Sequence, residues 1–186
     1  DREAAIRLIR QPVERVYQFS DAIVEDILKL TDCHPYFIHA LCFDIATRMR
    51  DLTTNEVSRK EVNQATAKFL QNGEHYFAHI RHAAGETGWP ILKHLAYLME
   101  DINDWVPSER LRGKLVQESL LSKGISNRIK VDRIMTTLRR ARIMEAKTSK
   151  DERVYYRIPI GLFFLWMRQR THPLVTKDMQ KEDNES

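Results

Sequence analysis

Apolar residues recur at three- and four-residue spacing through almost the whole chain, and that spacing commits it to helices. The pattern shifts late in the chain. There, two short runs, about Ile143–Lys147 and Arg153–Ile158, flank the polar turn Thr148-Ser149-Lys150-Asp151-Glu152 and read as a β-hairpin. Six glycines and six prolines among 186 residues are too few for a loop-rich or all-β fold. The length is enough for one or two domains with their own cores. The fold class expected is therefore mainly α with a small β-hairpin.

Punctuation along the chain divides it further. A short helix over 1–10 ends at Pro12. Ser20 caps a second helix whose apolar face is Ile23, Val24, Ile27 and Leu28. His34-Pro35 opens a third, with proline in the first turn. Ser58 and Glu61 have capping-box spacing and open a fourth, predicted to run to about Ile80 with Gly73 as a kink or break. Gly85 and Gly88 mark a boundary. Beyond it come helices over 89–102, 108–121 and 129–141, with a turn at Ser122-Lys123-Gly124, then the hairpin and a last aromatic-rich helix over 161–170. Three helices followed by a hairpin is the order of a winged helix-turn-helix domain. The division expected is a helical lid-like bundle over 1–84, a winged-helix domain over 85–172, and a polar, disordered tail over 173–186.

Charge is unevenly spread. The net charge is +4, yet Pro107–Arg157 holds fourteen Lys and Arg against six Asp and Glu. The second half is thus basic and the remainder mildly acidic, a distribution that attracts polyanions. No run approaches the ~18 apolar residues of a membrane span, and the charged start Asp1-Arg2-Glu3 is not a signal peptide. Two cysteines, Cys33 and Cys42, make no disulfide framework, so a reducing cytoplasm is the expected setting.

The segment Leu30-Thr31-Asp32-Cys33-His34-Pro35-Tyr36-Phe37-Ile38-His39-Ala40-Leu41-Cys42 resembles the T-G-G-H-P-Y-F-I-Q-x-L-C stretch of bacterial and archaeal AAA+/STAND-type P-loop ATPases. Gln11-Pro12-Val13, Tyr155-Tyr156-Arg157-Ile158-Pro159 and Trp166 extend the likeness over about Asp1–Arg170. In that family the stretch lies in a helical lid that a winged helix follows. The resemblance implies that Pro35 packs on the adenine of a nucleotide, with His34 and Tyr36 beside it. It also implies a parent protein using ATP or ADP and magnesium, and an N-terminal P-loop ATPase core as partner. Two departures stand out. Asp32 and Cys33 occupy the places of two glycines, and Arg157-Ile158-Pro159 stands where some relatives carry a diphosphate-sensing histidine. The P-loop itself, G-x-x-x-x-G-K-[ST] between strand and helix, does not occur; the one Gly-Lys pair, Gly113-Lys114, precedes Leu115 inside a predicted helix. No catalytic residue or cofactor is assigned to this chain, and it is read as a non-enzyme.

Three further groups bear on function. At ~100° per residue, Val131, Ile134, Met135, Leu138 and Ala141 share an inner helix face. Arg133, Thr136 and Arg140 then point outward with Lys130 and Thr137 beside them, and Lys147, Lys150 and Arg153 lie on the hairpin. Arginines and threonines so placed suit guanine edges and phosphates, which makes duplex DNA a candidate partner. The competing reading is a face that docks on protein. His75, His79 and His82 share a helical face, but only two such imidazoles converge on one ion and no carboxylate or thiol joins them, so no metal site is assigned. Cys33 beside His34 lacks an orienting third group and is read as a small turn residue, and the aromatic residues Tyr17, Tyr36, Phe37, Tyr76, Phe77, Phe163, Phe164 and Trp166 as core. The functional expectation is the lid and winged-helix portion of a nucleotide-dependent regulatory ATPase; the alternative is a free-standing winged-helix DNA-binding regulator.

Overall fold

The computed structural model describes residues 1–117 and 125–171; the expected turn at 122–124 and the polar tail lie outside them. Among the described residues the chain is mainly helical, with eight α-helices and one three-stranded antiparallel sheet. It packs as two compact units, Asp1–His75 with Ile160–Leu162, and Tyr76–Pro159 with the residues from Phe163 on. No helix among the described residues is long and apolar enough to cross a membrane.

The first unit is built from capped amphipathic helices. Helix α1 (Arg2–Arg10) starts where the Asp1 carboxylate accepts from the Glu3 N–H, and gives way to a single 3-10 turn at Gln11–Val13. Helix α2 (Asp21–Thr31) starts at Ser20, whose hydroxyl accepts from the Ile23 N–H at 3.4 Å. Helix α3 (Pro35–Met49) follows after three residues, with Pro35 in the first turn where its missing N–H costs nothing. Helix α4 (Arg59–Gln71) opens with the complete Ser58–Glu61 capping box. It ends nine residues before the expected Ile80, because Asn72 caps it and a new helix begins at Gly73. Ala5, Ile9, Ile23, Ile27, Leu28, Ile38, Leu41, Ile45, Val62 and Ala65 form one continuous core. Each of the larger side chains, the isoleucines, leucines and Val62, contributes about 1.5–3 kcal/mol by leaving water. Phe37 and Phe69 meet edge to face at 6.1 Å and tie α3 to α4. Beside them the buried Asp44 carboxylate is paired with Lys68 at 2.6 Å.

The second unit begins within helix α5 (Gly73–Leu98), which is interrupted at Gly85, where φ is 63° and ψ −177°. Strand β1 (Val106–Pro107) comes next, unforeseen in the sequence. Helices α6 (Ser108–Gln117) and α7 (Ile125–Arg140) precede the hairpin of β2 (Glu145–Thr148) and β3 (Val154–Arg157), and helix α8 (Gly161–Thr171) closes the described chain. The sheet order is β1-β3-β2, with Val106 opposite Tyr156 and Lys147 opposite Tyr155. Because side chains alternate across a strand, Val106 and Tyr156 are buried while Pro107, Glu145, Lys147, Tyr155 and Arg157 share the other face. The core holds Ile91, Leu92, Leu95, Met99, Leu111, Leu115, Met135, Leu138 and Ile158. An aromatic cluster adds to it, with Phe77, Phe163 and Trp166 within 5.2–6.1 Å of one another. Helix α5 packs against α7 at Gly88, where an added Cβ would meet Leu138 Cδ2 at 3.3 Å and Ile134 Cγ2 at 3.5 Å.

Candidate functional site

Two places carry the residues singled out from the sequence, one in each unit. The first is the corner between α2 and α3. Asp32 takes φ 49°, ψ 41° as the C-cap of α2, and Cys33 follows at φ 57°. Two consecutive left-handed residues turn the chain sharply, and the His34 N–H reaches back to the Thr31 carbonyl at 2.9 Å. His34 then returns to extended backbone, as a residue before proline must. The corner is anchored by Phe37, which is wholly buried and lies 4.8 Å from the His34 ring and 5.4 Å from the Tyr36 ring. His34, Pro35 and Tyr36 themselves are exposed at the start of α3. The pyrrolidine therefore presents an open apolar face rather than a core contact.

The environment of both nearby thiols disfavours the thiolate. Burial, with the Asp32 carboxylate next, raises the Cys33 thiol above its ordinary pKa. Burial alone pushes Cys42 up to about 12. Both shifts leave the thiols protonated at neutral pH.

The second place is the outer face of α7 with the hairpin. Val131, Met135 and Leu138 are buried and Ile134 half-buried, while Lys130, Arg133, Thr136, Thr137 and Arg140 are exposed together. Ala141 departs from the expected inner face: it is exposed, because α7 ends at Arg140 and the chain turns left-handed at Arg142, φ 56°. The Thr136 and Thr137 hydroxyls donate to the carbonyls one turn back, of Asp132 at 2.8 Å and Arg133 at 3.1 Å, and leave their lone pairs outward. Asp132 on the flank of α7 is paired with Arg112 of α6 at 2.5 Å, which offsets its charge beside the basic face. Lys150 and Arg153 are exposed at the hairpin turn, which closes through the Ser149 N–H to the Arg153 carbonyl at 2.8 Å.

Lys147 behaves differently. Its ammonium lies 4.3 Å from the centroid of Trp105 and 5.6 Å from that of Tyr155. The Arg157 guanidinium lies 4.8 Å from the same Trp105 ring and pairs with Glu145 at 2.7 Å. Trp105 escaped the sequence reading because nothing local marks it; only the register that sets Val106 opposite Tyr156 brings it beside Arg157. Arg139 and Arg142, also exposed, extend the basic end of α7 and were legible as charge but not as face.

His75, His79 and His82 are exposed along α5, and no three His, Cys, Asp or Glu side chains among the described residues group as a metal ion requires. Gly113 and Lys114 lie within α6, where Lys114 sits over the Tyr97 ring at 5.4 Å. A helical Gly-Lys cannot form the loop of inward N–H groups that cradles phosphate. Comparison with protein-family models, curated proteins and solved structures finds no match.

Proposed function

We propose that this chain is the lid and winged-helix portion of a nucleotide-dependent regulatory ATPase, in which the first unit senses the bound nucleotide and the second carries that state to duplex DNA. The observation that carries the reading is the order of the second unit: helix, β1, two helices, hairpin, with β1 against β3. That order supports the winged helix-turn-helix reading, in which α7, with its exposed Arg133, Thr136 and Arg140, would serve as the recognition helix.

The corner in the first unit supports the nucleotide half of the proposal. Asp32 and Cys33 stand where the ATPases that this segment resembles have glycines, and both adopt the backbone conformation that favours glycine. A glycine-favouring turn at these two positions is what the resemblance would lead one to expect. Pro35 beyond it offers a rigid apolar wall of a size that suits a base, with neighbouring backbone groups to read its edge. Phosphate and magnesium would be held by the parent's P-loop core, which would also supply the hydrolytic chemistry.

Reading the coding sequence upstream of Asp1 tests the class directly. A G-x-x-x-x-G-K-[ST] motif between a strand and a helix is expected there. A start codon directly before Asp1 would leave the free-standing DNA-binding regulator, which the self-contained core of the second unit favours. The purified chain alone should neither turn over ATP nor hold it tightly; turnover that survives every purification step would refute the assignment as a non-enzyme. If α7 instead faces protein, the same arginines would be covered by another domain of the full-length molecule.

A further inference from the structure

The hairpin turn carries Lys150, Asp151, Glu152 and Arg153 in succession, all exposed. Its net charge is zero, so its sign toward a phosphate backbone depends on which side chains face it. Two features hold the shape of the hairpin. Within the turn, Glu152 is held left-handed at φ 60° and its N–H bonds to the Ser149 carbonyl at 3.1 Å. At the base of the hairpin, one ring engages both long cations of the outer sheet face: Trp105 lies 4.3 Å from the Lys147 ammonium on β2 and 4.8 Å from the Arg157 guanidinium on β3. Trp105 directly precedes β1, so this contact joins all three strands on the face away from the core. Arg157 is further tied to Glu145 across the hairpin.

Resting on the duplex reading above, we propose that Trp105 is a positioning residue: it clasps Lys147 and Arg157 and so stiffens the hairpin that carries Lys150 and Arg153 to phosphate. Lys147, expected from the sequence to touch DNA, is then a structural cation. A cation over an indole face is held electrostatically by the ring, and its replacement by a neutral stem loosens the wing rather than deleting a phosphate contact.

The test uses the whole chain, a fluorescent duplex, and binding measured across a salt series. Each phosphate contact contributes about 0.9 to the slope of log K against log salt. Trp105→Leu should weaken binding about as much as the double variant Lys150→Gln/Arg153→Gln, and should flatten the slope by roughly two contacts' worth. Trp105→Phe, which keeps a ring face, should restore most of both. Lys147→Met should have little added effect in the Trp105→Leu background. Hydrogen exchange on the free protein checks the clasp without DNA: Trp105→Leu should speed exchange within residues 145–157 while the α5 and α7 amides stay protected. Wild-type affinity and slope in Trp105→Leu would overturn the proposal, as would a Lys147→Met slope loss of about 0.9 in both backgrounds, which marks a direct phosphate contact. If the wild type shows no duplex binding at low salt, the duplex reading fails and the phosphate role of the hairpin with it. Unchanged exchange in Trp105→Leu would refute the clasp independently.

Discussion

Replacing Cys33 by glycine isolates the corner on which the nucleotide reading depends. A side chain at φ 57° brings its Cβ toward the following carbonyl, at a cost of about 1–2 kcal/mol. Glycine removes that cost but adds about 0.5–1 kcal/mol of unfolded-state entropy. Cys33 is only partly buried against the core of the first unit, so little apolar burial is lost. The balance is a stabilisation of roughly 0.5–1 kcal/mol for Cys33→Gly. Asp32→Gly should gain less, since aspartate tolerates this region better than most residues. Cys33→Ala should gain nothing, because it keeps the Cβ. Urea unfolding followed by far-UV circular dichroism is the suitable assay. Trp89, Trp105 and Trp166 all belong to the second unit, so tryptophan fluorescence does not report on this corner. A loss of more than about 1 kcal/mol in Cys33→Gly, with Cys33→Ala unchanged, would mean that the corner is not strained in the left-handed region.

Three other substitutions test a helix cap in the first unit and the packing of the second. Burial opposes the charge of Glu61, but hydrogen bonds from the Ser58 hydroxyl and N–H outweigh it and leave its pKa below the usual carboxylate value. A lowered folded-state pKa means stability that is present above the unfolded-state value and lost as pH falls through the folded one. Glu61→Gln should therefore be less stable than wild type at neutral pH, with the gap closing in acid; Ser58→Ala should cost about 1 kcal/mol, read by urea unfolding. In the second unit, Gly88→Val forces a branched side chain against Leu138 and Ile134 and should cost about 1–3 kcal/mol, followed by tryptophan fluorescence.

The helices of the first unit were legible because their starts are written in local chemistry: Ser20, Pro35 and the Ser58–Glu61 pair each satisfy or remove an N–H that the helix leaves open. The end of α4 was less so, since Asn72-Gly73 can either kink a helix or separate two, and tertiary packing decides. Strand β1 has two residues, one of them proline, and no alternation can announce a strand so short. The outer face of α7 followed from periodicity alone, whereas Trp105 with Lys147 joins residues forty-two positions apart and needs the sheet register. The turn at Cys33 was legible, but its left-handed backbone was not marked, because neither Asp32 nor Cys33 is glycine.

The most direct measurement of the functional account is a band-shift titration of this chain on duplex DNA at two salt concentrations, with wild type beside Arg133→Gln/Arg140→Gln. Arg133 and Arg140 share the exposed face of α7. The account predicts retardation at low salt, a steep loss at higher salt as phosphate contacts release counterions, and most of the binding gone in the double variant, each arginine contributing about 1–3 kcal/mol where it reads a base edge. No retardation at low salt, or binding that persists unchanged in the double variant, would contradict it and leave α7 as a face for protein or the duplex on some other surface.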